Sequence, residues 1–172
     1  VVDGTHQLQV KTINPTSPST APSSAFTVDL GTARFKNIFD VYDTDTSGTG
    51  SGFYYVYGMG KADWDMGDVS QYDTVDRNIL VAKIQKSDNS LVSMSDALTI
   101  TDNLTGSSNN IRRFTDAKVL TLSDGTQDAD AGRLTEKGKS YLFVSYEIDN
   151  FSTEQAKMNA YSIGTGGNPT TL

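Results

Sequence analysis

Asp40-Val41-Tyr42-Asp43-Thr44-Asp45-Thr46-Ser47-Gly48-Thr49-Gly50-Ser51-Gly52-Phe53-Tyr54-Tyr55-Val56-Tyr57 is a strand end, an acidic glycine-rich loop and a strand dense in aromatics. The loop concentrates hard oxygen ligands in a backbone that bends tightly. The strand behind it carries large apolar area on both faces, because successive side chains alternate sides. Together they predict a β-rich domain whose polar loops hold cations.

Working outward, Gly58-Met59-Gly60 predicts a bulge or a close backbone approach. Upstream, Ala25–Leu30 and Ala33–Tyr42 read as strands; in the second, Phe35, Phe39 and Val41 share one face and Ile38 and Tyr42 the other. Downstream strands are expected at Asn78–Lys86, Leu91–Met94, Ala97–Thr101, Ile111–Phe114, Lys118–Leu122 and Tyr141–Ile148. In the last of these, Leu142, Val144, Tyr146 and Ile148 line one face. Ser152-Thr153-Glu154-Gln155 reads as a capping box opening a short helix toward Asn159. Gly164–Leu172 is a Gly/Thr/Pro tail. Many short strands joined by polar loops predict an all-β fold, a jelly roll or related β-sandwich.

The N-terminal stretch is set apart. His6–Ile13 has strand alternation, with His6, Leu8, Val10 and Thr12 on one face. Asn14–Ser24 carries three prolines among Ser and Thr, which forbid a helix and favour an extended tether. Residues 1–24 therefore read as strand and tether, and 25–172 as the sandwich domain. Two readings of the strand stand open: a loosely packed arm, or a donor strand completing the sheet of a neighbouring copy.

At 172 residues the chain is long enough to bury about 70% of its unfolded surface without staples. It has no cysteine, so neither disulfides nor thiol chemistry enter. The net charge of −7 disfavours nucleic acid and anionic lipid as partners. No apolar run is long enough to span a bilayer. The chain begins at Val1, and an extracellular protein freed of its signal peptide is expected. Of the 21 acids, 18 are Asp and 3 are Glu, a bias toward turns, caps and metal loops.

Asp43, Asp45 and Ser47, with Gly48 next, have the opening spacing of a calcium loop. The position where a bidentate Glu belongs holds Tyr54, so this is no EF-hand. A β-loop calcium site completed by Asp40 or by a residue distant in the chain remains. Asp63, Asp65 and Asp68, near Asp73 and Asp76, form a second candidate, and Asp124, Asp128 and Asp130 a third. Carboxylates suit Ca²⁺ and Mg²⁺ far better than zinc. The plainer alternative is that each Asp closes a solvated turn.

His6 is the only histidine and sits in the arm, so a Ser-His-Asp set on the body needs the arm to reach back. No P-loop or dinucleotide fingerprint is present. A non-enzymatic role is expected. Tyr54, Tyr55, Tyr57, Trp64 and Tyr72 admit two readings, a sugar-binding platform or core filling. Asn103 and Asn150 head glycosylation sequons.

A leading strand, a Pro/Ser/Thr tether, a sandwich body and Asp-rich loops resemble donor-strand filament proteins, including TasA-like biofilm fibres. The same layout is similar to subunits of archaeal cannulae, hollow extracellular tubes whose assembly depends on divalent cations. The resemblance spans the chain in architecture and rests on no diagnostic motif. It implies a self-assembling structural subunit in which Leu8 and Val10 fill pockets on the next copy. The rival expectations are a calcium-dependent carbohydrate-binding module and a virion or capsid protein.

Overall fold

The computed structural model describes residues 7–12, 16, 23–44, 51–65, 67–99, 111–121, 140–149, 154–163 and 169–171. The strands are β1 (Gln7–Thr12), β2 (Ser23–Asp29), β3 (Arg34–Asp43), β4 (Phe53–Lys61), β5 (Asn78–Gln85), β6 (Leu91–Thr99), β7 (Ile111–Thr121), β8 (Ser140–Asp149), β9 (Glu154–Ile163) and β10 (Pro169–Thr171). Between β4 and β5 lie a 3₁₀ turn, Val69–Gln71, and the one-turn helix α1, Tyr72–Val75. The fold is all-β, and every strand pair among the described residues is antiparallel.

The strands form three sheets, ordered β1-β2, β3-β4-β5-β6 and β10-β9-β8-β7. Neighbours in each are consecutive in the chain, so each larger sheet is a meander. A jelly roll interleaves strands from distant parts of the sequence; here each half of the chain builds its own sheet. That is the outcome local hairpins favour, since closing short loops costs the least entropy.

The two middle strands of the β3–β6 sheet, β4 and β5, are buried on both faces, and their sequence says why. Ile79-Leu80-Val81-Ala82 in β5 and Tyr55-Val56-Tyr57 in β4 are continuous apolar runs rather than alternating ones. Tyr55, Tyr57, Ile79 and Val81 pack on Phe114, Ala117, Leu142, Val144 and Tyr146 of the β7–β10 sheet. Their alternates Val56, Leu80, Ala82 and Ile84 pack with Leu8, Val28, Leu30, Ala33 and Phe35. The central sheet thus lies between the second meander and the two-stranded β1–β2 ribbon.

Gly58 and Gly60 permit a close approach of β3. An added Cβ at Gly58 meets the Asn37 carbonyl oxygen at 2.3 Å, and one at Gly60 meets that of Arg34 at 2.3 Å. Opposite them the β3–β4 register shifts twice, between Phe35 and Asn37 and between Ile38 and Asp40. These irregularities reset the alternation. Phe35 and Ile38 share the ribbon-side core, Phe39 and Tyr42 pack on the other, and Val41 is exposed. The bulge expected from the glycines is present; the faces assigned by uniform alternation are corrected by it.

Other boundaries differ from expectation. The strands expected to begin at Leu91 and at Ala97 are one strand, β6, described to Thr99, and those expected to begin at Ile111 and at Lys118 are one strand, β7, described to Thr121, across a register shift between Phe114 and Asp116. The helix expected from Ser152 is instead strand β9, paired along its length with β8. Glu, Gln, Ala, Lys and Met favour helix individually, but the open edge of β8 offers a full ladder of backbone partners. Within the tail, Pro169–Thr171 adds β10 to β9. The expected boundary between residues 24 and 25 falls inside β2.

Candidate functional site

The acidic residues proposed as ligands are dispersed, and each described carboxylate has protein partners. Both carboxylate oxygens of Asp43 accept from Lys86 Nζ at 2.8 Å. Lys86 also lies 4.9 Å from the Tyr54 ring centroid. Asp63 pairs with Lys61 at 2.8 Å. Asp65 Oδ1 accepts the Gly67 N–H at 2.8 Å. Asp68 accepts from the Ser70 N–H and hydroxyl and from Gln71 Nε2, and these bonds, the Ser70 hydroxyl first, hold its carboxyl below the ordinary range. Asp76 pairs with Lys36. Among the described residues no three metal-ligating side chains converge. Asp45, Ser47, Asp124, Asp128, Asp130, His6, Asn103 and Asn150 lie outside the described residues, as does the side chain of Asp73.

Asp40 does something the sequence did not disclose. It bridges the two meanders. Its Oδ2 accepts the Val119 backbone N–H at 2.7 Å, and its Oδ1 accepts from Lys118 Nζ at 2.9 Å. That hydrogen bond and the carboxylate charge raise the Lys118 ammonium above its ordinary value. β7 is an edge strand, and an edge presents a row of unpaired amides. Here Phe114 N–H donates to the Asp76 carbonyl at 2.9 Å, Ala117 N–H to Asp116 Oδ1 at 2.8 Å, and Val119 N–H to Asp40. Three acceptors thereby blunt this edge. A second tie runs from the Ser140 hydroxyl to the Tyr42 oxygen at 2.8 Å.

The described aromatics of the stretch are core, and the side chain of Tyr72 lies outside the described residues. Tyr55 and Tyr57 are buried between the meanders, and Trp64, only 7% exposed, closes one end with Met59 and Val75. The exposed Trp64 that a sugar platform requires is not there. Tyr57 has no exposed surface, and burial first, then the charges of Tyr55, Tyr42 and Asp40, push its phenol well above 10.0. An unfolded tyrosine ionises near 10 while the folded one keeps its proton, so stability is full below that pH and falls as pH rises above it. Circular dichroism across the alkaline range checks this. Tyr57→Phe is expected to flatten the fall, and an unaltered slope assigns it to other groups.

The remaining feature is the ribbon's seat. In β1–β2, Leu8 pairs with Val28 and Val10 with Phe26, so one ribbon face is apolar; Gln9 opposite Thr27 forms the outward, polar face. Leu8 is 4% exposed and Val28 2%, at the level of the main core. The expectation that Leu8 and Val10 sit on a neighbour is thus corrected for the single chain: they lie on their own chain's β2 and central sheet. Thr12 pairs with Ser23. Val28 and Leu30 share this core, on the face that the Phe26, Val28, Leu30 alternation marks with the same period as Leu8 and Val10.

The chain matches no protein-family model. It matches no curated protein and no solved structure either.

Proposed function

We propose that the protein is a non-enzymatic structural subunit that assembles with copies of itself into an extracellular filament or tube. The observation that supports this best is the seat just described. The chain's first strand lies across an apolar face of the central sheet, and Leu8 is buried there as deeply as a core residue. The same seat on one copy fits the same strand from another, which is the condition for polymerising by strand exchange.

Divalent cations, calcium first, join subunits at the acidic loops in this reading. Asp45, Ser47, Asp124, Asp128 and Asp130 are the ligands proposed, since Asp40, Asp43, Asp63, Asp65 and Asp68 already serve lysines, amides or hydroxyls. An extracellular location and glycans at Asn103 and Asn150 complete the reading. The charge of −7 weighs against nucleic acid as a partner. No helix among the described residues is long and apolar enough to cross a membrane.

Negative-stain microscopy and sedimentation, with calcium and with EDTA, test the reading. Polymers in calcium that disperse in EDTA are expected. Polymers indifferent to EDTA remove the cations from it, and a monomer under both conditions overturns it.

A further inference from the structure

We infer that the element exchanged between copies is the whole β1–β2 ribbon, swung about the turn Leu30–Ala33, and that its docking surface is the outer face of the central sheet of a second copy. The inference rests on the self-assembly reading above and specifies the unit that moves.

Three observations carry it. First, the ribbon is a separate two-stranded sheet, and among the described residues no backbone hydrogen bond joins it to another strand. Its ladder is internal, from Gln7 opposite Asp29 to Thr12 opposite Ser23. Moving β1 alone strips that ladder and leaves β2 with a bare edge; moving the ribbon breaks no ladder at all. Second, what holds the ribbon to the sheet is apolar contact, which is non-directional and is reproduced by an identical seat on another copy. Third, the connection to the body is a tight turn. Gly31 has φ +62°, its N–H donates to Asp29 Oδ1 at 2.9 Å, and Ala33 N–H donates to the Leu30 carbonyl at 3.1 Å. Across to the body, the Thr32 hydroxyl donates to the Ala62 carbonyl at 3.2 Å. No atom lies within 4 Å of a Cβ added at Gly31, so the turn has open space around its pivot.

The occupant is therefore a second copy's residues 7–12 and 23–29, presenting Leu8, Val10, Phe26 and Val28 to Val56, Leu80, Ala82 and Ile84. A short turn that fixes the ribbon's direction decides between closing on its own sheet and reaching the next.

The chain is free of cysteine, so a staple is clean. Gln9→Cys with Thr27→Cys joins the two strands at an exposed register pair. The full chain is assembled under reducing conditions, oxidised, and run on a non-reducing denaturing gel. The expected result is a single-chain band from intact polymers. A covalent ladder shows that β1 leaves β2 behind and overturns this inference alone. In parallel the turn is altered. Deleting Gly31 and Thr32 is expected to lower the critical concentration about tenfold, because a shortened turn strains the ribbon's seat on its own chain, and inserting about eight Gly/Ser residues there to raise it about tenfold, because a longer turn relaxes that seat further. A lengthened chain whose critical concentration stays within about twofold of the original also overturns the inference, since its ribbon then takes no part in exchange. A wild-type chain that never assembles defeats the parent reading and this one with it.

Discussion

Replacing Gly58 by valine is expected to leave no folded protein. At that position a Cβ falls 2.3 Å from the Asn37 carbonyl oxygen, 2.7 Å from Phe35 Cδ1 and 3.1 Å from Ile38 Cα. A side chain in the way can rotate; a carbonyl oxygen and a Cα move only if the strand moves. Relief therefore means pushing β3 off β4, and β3 carries Asp40, the bridge to β7. Overpacking a core ordinarily costs about 1–3 kcal/mol. A backbone clash with loss of the sheet-to-sheet tie puts the cost above about 5 kcal/mol, comparable with the whole stability of a domain. Gly31→Ala is the contrast. Nothing crowds that Cβ, and only the left-handed φ of +62° resists it, at about 1 kcal/mol. Circular dichroism and amide dispersion in NMR read both variants. A Gly58→Val protein that melts like the original refutes the close β3–β4 approach.

Leu80→Ala is expected to lower stability by about 2–5 kcal/mol, as much as Ile79→Ala on the opposite face. In a chain of this size each kcal/mol moves the melting midpoint by about 2–4 °C, so a loss of about 10 °C is the central expectation. Both side chains are wholly buried, Ile79 against the second meander and Leu80 beneath the ribbon side. The comparison decides between two layers and three. Were the outer face of the central sheet wet, truncating Leu80 would change stability by less than about 0.5 kcal/mol. Equal, large losses in calorimetry support the third layer; a neutral Leu80→Ala removes it, and with it the seat on which ribbon exchange depends.

Several of these features could be read before any coordinates. Gly58 and Gly60 announce a place where backbones meet, because only an absent Cβ makes that approach possible. Leu142, Val144 and Tyr146 announce a core-facing stripe by their period of two, and all three are buried as read. Other features resisted. Residues 154–159 carry a cap-like start and helix-forming residues, yet pair as β9, since a long edge ladder outweighs a few tenths of a kcal/mol per residue of propensity. Asp40 looked like a loop ligand beside Asp43, but its carboxylate reaches residues almost eighty positions away. Asp65 and Asp68 turned out to close their own turns, the plainer of the two readings.

The amino-acid sequence by itself determined the all-β class, the positions of most strands, the glycine contact in β4 and the apolar faces of both β1 and β2. These are written in spacing that repeats every two residues or in a missing side chain, so neighbours along the chain suffice to reveal them. Only the tertiary structure decided that each half forms a meander, that β1 takes β2 as its partner, and that the pair roofs the central sheet. Apolar faces attract without regard to identity, so which face meets which is settled by the packing of the whole chain and leaves no local mark.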